Sequence, residues 1–110
     1  MAVVKASSTW PGPDVDVLRV FVEPTPLPWG AEVADEDLVL FRLLDSREEA
    51  SGQIVGLEIL GFLSFDQWGD IPESVSHWRL AGMEPLALVD ALKQLQREYR
   101  QQTSAGKRVA

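Results

Sequence analysis

The chain has 110 residues, no cysteine, one histidine and a formal charge of −7. These totals indicate one domain with a modest core, and they exclude disulfides and thiolate metal sites. A zinc centre built on several imidazoles is also excluded, because His77 is the single histidine of the chain.

The negative charge is unevenly distributed. Residues 1–92 contain 16 acids and 5 bases, whereas residues 93–110 contain 1 acid and 5 bases. An acidic body repels phosphate backbones, so no nucleic acid partner is expected. No apolar run approaches the roughly 18 residues that cross a bilayer, and the first residues lack the apolar core of a signal peptide. We therefore expect no membrane association and a cytoplasmic location.

The strand signals lie between residues 14 and 60. Residues 1–13 contain Trp10-Pro11-Gly12-Pro13 and are expected to form a flexible lead-in. Runs 15–22, 38–44 and 53–60 alternate apolar side chains as strands do, and residues 31–33 form a shorter candidate. The proline-rich stretch 24–30 is expected to be a rigid loop. These signals predict an antiparallel three- to four-stranded meander sheet.

The only convincing helical pattern covers residues 84–101. Leu88, Leu92, Leu95 and Tyr99 recur at helical spacing, and polar residues fill the other side. We predict one C-terminal amphipathic helix packed on the sheet, which makes residues 14–101 a single α+β domain. Residues 102–110 are expected to be a disordered tail.

One sheet face is expected to carry a charge on each main strand, namely Arg19, Arg42 and Glu58, with Arg42 on the central strand between the other two. A cross-strand ion pair that fixes the register, or lies in a dimer interface, is one interpretation. A small-anion-binding site or an enzyme site built on the two guanidinium groups is the other.

A single helix can cover one sheet face but not both, so the second face is expected to contact a second copy of the chain. The residues expected at this interface of a homodimer are apolar or aromatic: Val17, Phe21, Leu40, Leu44, Ile54, Leu60, Trp29 and Trp78.

The stretch Asp14-Val15-Asp16-Val17-Leu18-Arg19-Val20, followed later by Ile54-Val55-Gly56-Leu57-Glu58-Ile59-Leu60, resembles a family of short bacterial proteins. The family is known as domain of unknown function number twenty-two eighty-three, and the resemblance covers roughly residues 14–60. It implies a small antiparallel sheet with a helix and no known activity. It also implies an alternative role as the antitoxin-like partner of a small toxin-like protein.

The sequence contains no signature of catalysis. Asp14 with Asp16, or Asp66 with Asp70, are the acid pairs that an enzyme would use, but Gly-x-Ser-x-Gly is absent and a carboxylate pair needs a cleft that separates the two pKa values. We assign no catalytic residue, metal ligand or cofactor. Four tryptophans, proline-rich loops and an acidic surface instead favour a non-catalytic protein interaction module that self-associates.

Overall fold

A computed structural model describes residues 3–73, 76–80 and 82–109, without the side chains of residues 50 and 105–109. In chain order its elements are β1 (Val3–Thr9), β2 (Val17–Val22), β3 (Trp29–Asp35), β4 (Leu38–Leu44), β5 (Ala50–Leu60), β6 (His77–Arg79) and α1 (Leu88–Val109). Two single turns of 3₁₀ helix, Phe62–Ser64 and Trp68–Asp70, lie between β5 and β6.

The six strands form one mixed sheet in the order β3-β4-β5-β2-β1-β6. All neighbouring pairs are antiparallel except β1 and β6, which are parallel. The long strand β5 occupies the interior of the sheet, and its alternate residues Val55, Leu57 and Ile59 are fully buried. An interior strand satisfies its backbone hydrogen bonds on both edges, which suits the strand with the most apolar side chains.

The hydrophobic core lies on one face of this sheet. Leu18 pairs with Ile59 and Val20 with Leu57, so alternate residues of β2 and β5 point to the same side. Leu88, Leu92 and Leu95 of α1 join the same buried cluster, as do residues of the segment between β5 and β6. The predicted apolar stripe of the helix is therefore confirmed. One face of the sheet is covered by α1 together with Phe62, Phe65, Ile71, Trp78 and Leu80.

Two polar side chains, Asp16 and Gln96, hold the 62–65 turn in place between sheet and helix. Asp16 accepts hydrogen bonds from the Leu63 backbone N–H and from the Trp10 indole, each at 2.9 Å. Gln96 of α1 is 5% exposed, and its Nε2 donates to the carbonyl oxygens of Phe62 at 2.7 Å and Phe65 at 2.8 Å. Because these buried carbonyls lie outside any strand ladder, the side-chain donor provides the hydrogen bonds that water would otherwise supply.

The α+β class and the C-terminal helix are confirmed, but the three- to four-stranded antiparallel meander is wrong in its details. Val3–Thr9 forms β1, although residues 1–13 were expected to be a flexible lead-in. This strand pairs with β2 in antiparallel and with β6 in parallel orientation. Strand β5, not β4, lies between the two other main strands. The helix starts at Leu88 and continues to Val109, beyond residue 101 where the polar pattern suggested an end.

Within the described ranges, no helix combines the length and the apolar composition that crossing a bilayer requires.

Candidate interaction surface

The face of the sheet opposite α1 is called the open face below. The strand register defines it, because directly paired residues point to the same side. Its members are Val3, Lys5, Ser7 and Thr9 of β1, Val17, Arg19 and Phe21 of β2, Trp29, Ala31 and Val33 of β3, Val39, Phe41 and Leu43 of β4, Gly56, Glu58 and Leu60 of β5, and His77 and Arg79 of β6.

Three aromatic rings form the most apolar part of the open face. The Phe21 and Phe41 rings stack with their centroids 4.9 Å apart, and Trp29 lies 5.0 Å from Phe41 and 5.6 Å from Phe21. Gly56 makes room for this cluster, because a Cβ there would lie 2.6 Å from Cδ1 of Phe21. Trp29 remains 37% exposed and Phe21 is half-buried, whereas Phe41 is only 9% exposed, so Trp29 is the most outward-facing ring of the three.

Other apolar side chains of the open face are exposed as well. Val33 is 74% exposed, Val3 50% and Leu60 38%. Single exposed apolar residues are ordinary, and these three lie on separate strands of the open face. Together with an exposed tryptophan on the same sheet face, they are typical of a surface that contacts another protein.

The charges of the open face differ from those of the rest of the protein. Glu58 is the one acid that the register places among its strand residues, and its Oε2 lies 3.1 Å from Nε of Arg19. Lys5 pairs directly with Arg79 near the β1 and β6 edge, and both are exposed. An apolar and mildly basic face therefore lies on a chain whose formal charge is −7.

The predicted cluster of Arg19, Arg42 and Glu58 is divided between the two faces of the sheet. Arg42 pairs with Gly30 and lies two residues from the core residue Leu40, so the register places it on the covered face. Its Nε donates to Glu32 at 2.8 Å, and its Nη1 donates to the Gly52 carbonyl at 3.3 Å. Arg19 and Glu58 form the expected cross-strand pair without Arg42.

The misplacement of Arg42 has a local cause. Strand β4 is apolar on both sides, so alternation alone leaves open which of its faces joins the core. The register with β5 decides this, because it pairs Leu38 with Ile59 and Leu40 with Leu57. The hairpin turn at 36–37 was visible in the sequence, but simple pairing across it would place Glu32 and Arg42 on opposite faces. A bulge between Val33 and Asp35 shifts the register of β3 against β4 and brings the two side chains to the same face.

The residues predicted for the interface separate in the same way. Val17, Phe21, Trp29 and Leu60 lie on the open face, and their contact with a second copy stays a prediction. Leu40 and Trp78 are each 1% exposed and belong to the core, so their assignment to an interface is wrong. Leu44 and Ile54 are half-buried on the covered side, where Ile54 pairs with Arg42.

The acid pairs proposed from the sequence have other roles. Both Asp16 oxygens accept structural hydrogen bonds, as described above. Asp70 associates with Asp35 rather than with Asp66, and the pKa of Asp70 is raised, chiefly by a hydrogen bond with the Asp35 side chain. Sequence separation hid this second pair. In the described part of the chain, no three His, Asp or Glu side chains come together in a way that would hold a metal ion.

The covered side has a cleft of about 640 Å³ at the end of the sheet where β5 begins. Val22, Ile54 and Trp78 line its apolar part, and Glu23 and Glu73 add two carboxylates. The two carboxylates repel small anions, so this cleft gives no support to the anion-binding interpretation.

Comparisons with protein-family models, with curated proteins and with solved structures found no match for this chain. The resemblance to the bacterial family of unknown function, and the antitoxin-like role that it implies, therefore stay predictions.

Proposed function

We propose that this protein is a non-catalytic protein interaction module that self-associates through its open face. The observation that carries this proposal is the composition of that face: an aromatic cluster and exposed valine and leucine side chains with a single acid, which is already paired. Interface cores are enriched in aromatic residues, and the aromatic cluster gives the open face this property.

The charge of the chain supports the same proposal. With a formal charge of −7, two copies repel each other over most of their surfaces. The open face is the part of the described surface where strand residues carry more bases than acids. Contact through it removes apolar area from water, at roughly 25 cal/mol per Å², while the acidic regions stay apart.

Size-exclusion chromatography with multi-angle light scattering, over a concentration series, tests the proposal. We expect the mass of a dimer that dissociates on dilution. Leu60→Lys places a charge on the open face and should give a monomer at all concentrations. The control is Leu27→Lys in the proline-rich loop, which alters a side chain that is 77% exposed and lies off the open face. That variant should dimerise normally.

A wild-type protein that stays monomeric at the highest concentration reached would overturn self-association. Equal weakening by Leu60→Lys and Leu27→Lys would show that the dimer uses another surface. Circular dichroism melts of both variants establish that each one is folded before its mass is interpreted.

A further inference from the structure

We infer that two copies pack with their open faces together about a two-fold axis that runs parallel to the strands, between β5 and β2. This inference rests on the self-association proposed above and adds the orientation of the two copies and the residues that meet. Residues that are directly paired across neighbouring strands share one level, meaning one position along the strand direction. A two-fold axis along the strands leaves each residue at its level and reverses the order of the strands. Thus β2 faces the partner's β5, β1 faces β4, and β6 faces β3.

The charges at the centre of the face favour this axis. Arg19 and Glu58 are direct partners, so they lie at one level on the two strands that flank the axis. The rotation therefore places Arg19 opposite the partner's Glu58, and Glu58 opposite the partner's Arg19. A two-fold axis perpendicular to the strands at this level would instead oppose Arg19 to Arg19 and Glu58 to Glu58, which like-charge repulsion disfavours.

The outer strands are complementary under the same rotation. The paired residues Phe21, Gly56 and Phe41 lie at one level, and the next level contains Lys5 and Arg79 at one edge and Leu43 and Trp29 at the other. Because β6 faces the partner's β3, the Arg79 guanidinium lies over the partner's Trp29 indole. Among cation–π contacts, tryptophan is the most favourable ring and arginine the more frequent cation.

At the centre of the face, the Phe21 ring lies over Gly56 of its own chain and stacks on Phe41, so these rings are the apolar surface that the two copies bring together. Two stacked sheets are commonly rotated by about 30°, and the length of the arginine side chain accommodates the resulting offset at the edges.

A double-mutant cycle on the dimer dissociation constant tests the contact between Arg79 and Trp29. Within one chain these residues lie on opposite edges of the sheet, five strand spacings or roughly 24 Å apart. Non-additivity between Trp29→Ala and Arg79→Ala therefore reports a contact between copies. We expect each single substitution to raise the dissociation constant at least about twofold, and the double variant to raise it by less than the product of the two. Arg97→Ala on α1 is the control and should combine additively with Trp29→Ala.

Cross-linking tests the orientation directly, since the chain has no cysteine of its own. Thr9 is level with Arg19, and Val39 is level with Glu58, so the axis places Thr9 opposite the partner's Val39. A short bis-maleimide should link Thr9→Cys to Val39→Cys in a mixture of the two variants and should link neither variant efficiently to itself.

The outcomes separate the two proposals. A monomeric wild type overturns both self-association and this orientation. Three results together would overturn the orientation and leave self-association standing. Leu60→Lys disrupts the dimer, the effects of Trp29→Ala and Arg79→Ala on the dissociation constant are additive, and Val39→Cys cross-links to itself as well as to Thr9→Cys. Non-additivity together with the mixed cross-link supports the axis along the strands.

Discussion

The Nε atom of Arg19 lies 3.1 Å from Oε2 of Glu58, and the two residues are directly opposite each other on neighbouring antiparallel strands. The Arg19 side chain is 60% exposed and the Glu58 side chain 20%. The Arg42–Glu32 pair on the other face is shorter, at 2.8 Å, and its arginine side chain is 17% exposed. The two ion pairs therefore differ in how strongly solvent screens them.

Removing Arg42 should cost more stability than removing Arg19. The Arg42 guanidinium connects Glu32 of β3 with the Gly52 carbonyl of β5 across the strand that carries it, whereas Arg19 contacts one carboxylate in solvent. We expect a coupling energy below about 1 kcal/mol for Arg19 with Glu58, as exposed pairs give. Urea unfolding of Arg19→Ala and Arg42→Ala, in the Leu60→Lys background to remove self-association, measures the difference. Equal costs would contradict the bridging role of Arg42.

Gly56→Ala should destabilise the fold strongly. An added Cβ would lie 2.6 Å from both the Val20 carbonyl oxygen and Cδ1 of Phe21, and a backbone oxygen cannot move aside without shifting the strand. We expect a loss of about 1–3 kcal/mol in the free energy of unfolding. Gly52→Ala in the same strand is the matched control, because nothing lies within 4 Å of its added Cβ. A Gly56→Ala variant as stable as Gly52→Ala would contradict this packing.

Gln96→Leu should destabilise the protein although leucine is apolar and similar in size. The substitution removes the side-chain donor to two buried carbonyls. The Phe62 carbonyl keeps the Phe65 backbone N–H at 3.2 Å, but the Phe65 carbonyl loses the donor that Gln96 supplied, at a cost of about 1–3 kcal/mol. Thermal and urea unfolding measure the loss. Gln101→Leu alters an exposed position of the same helix and should be nearly neutral. The hydrogen-bond explanation fails if the two substitutions have the same effect.

The carboxyl pair of Asp35 and Asp70 should make stability depend on pH in a defined direction. The pKa of Asp70 is raised above its ordinary value of 3.8 by the hydrogen bond with Asp35, by partial desolvation and by repulsion between the two charges. The folded state then holds the proton more tightly than the unfolded chain does. The protonated Asp70 therefore stabilises the fold at a pH below the ordinary pKa, and this stabilisation is lost as the pH rises through the raised pKa.

Asp70→Asn tests this direction, because an amide can donate to Asp35 at every pH. We expect the stability of this variant relative to the wild type to increase as the pH rises from about 3 to about 7. Urea unfolding at a series of pH values gives the comparison, with Asp66→Asn as a control at an exposed aspartate nearby. Parallel curves for Asp70→Asn and the wild type would show that the Asp35–Asp70 contact does not couple to folding.

The elements of this protein could be predicted from local patterns with fair success. Alternation located the three main strands, and helical spacing located α1 and its buried leucines. The apolar second face was expected as well, since Val17, Phe21 and Leu60 lie on it as predicted. Residues 3–9 were missed as a strand because their mixed sequence pairs with β2 and β6 only through the tertiary fold.

The sequence by itself determined the three main strands, the C-terminal helix and its apolar stripe, and that one helix can cover only one face of the sheet. Only the tertiary structure decided the order of the strands, the face to which Leu40 and Arg42 belong, and the pairing of Asp35 with Asp70. The physical reason is that a period of two fixes which residues share a face but not which face is buried. That choice depends on hydrogen-bond register between segments that are distant in the chain.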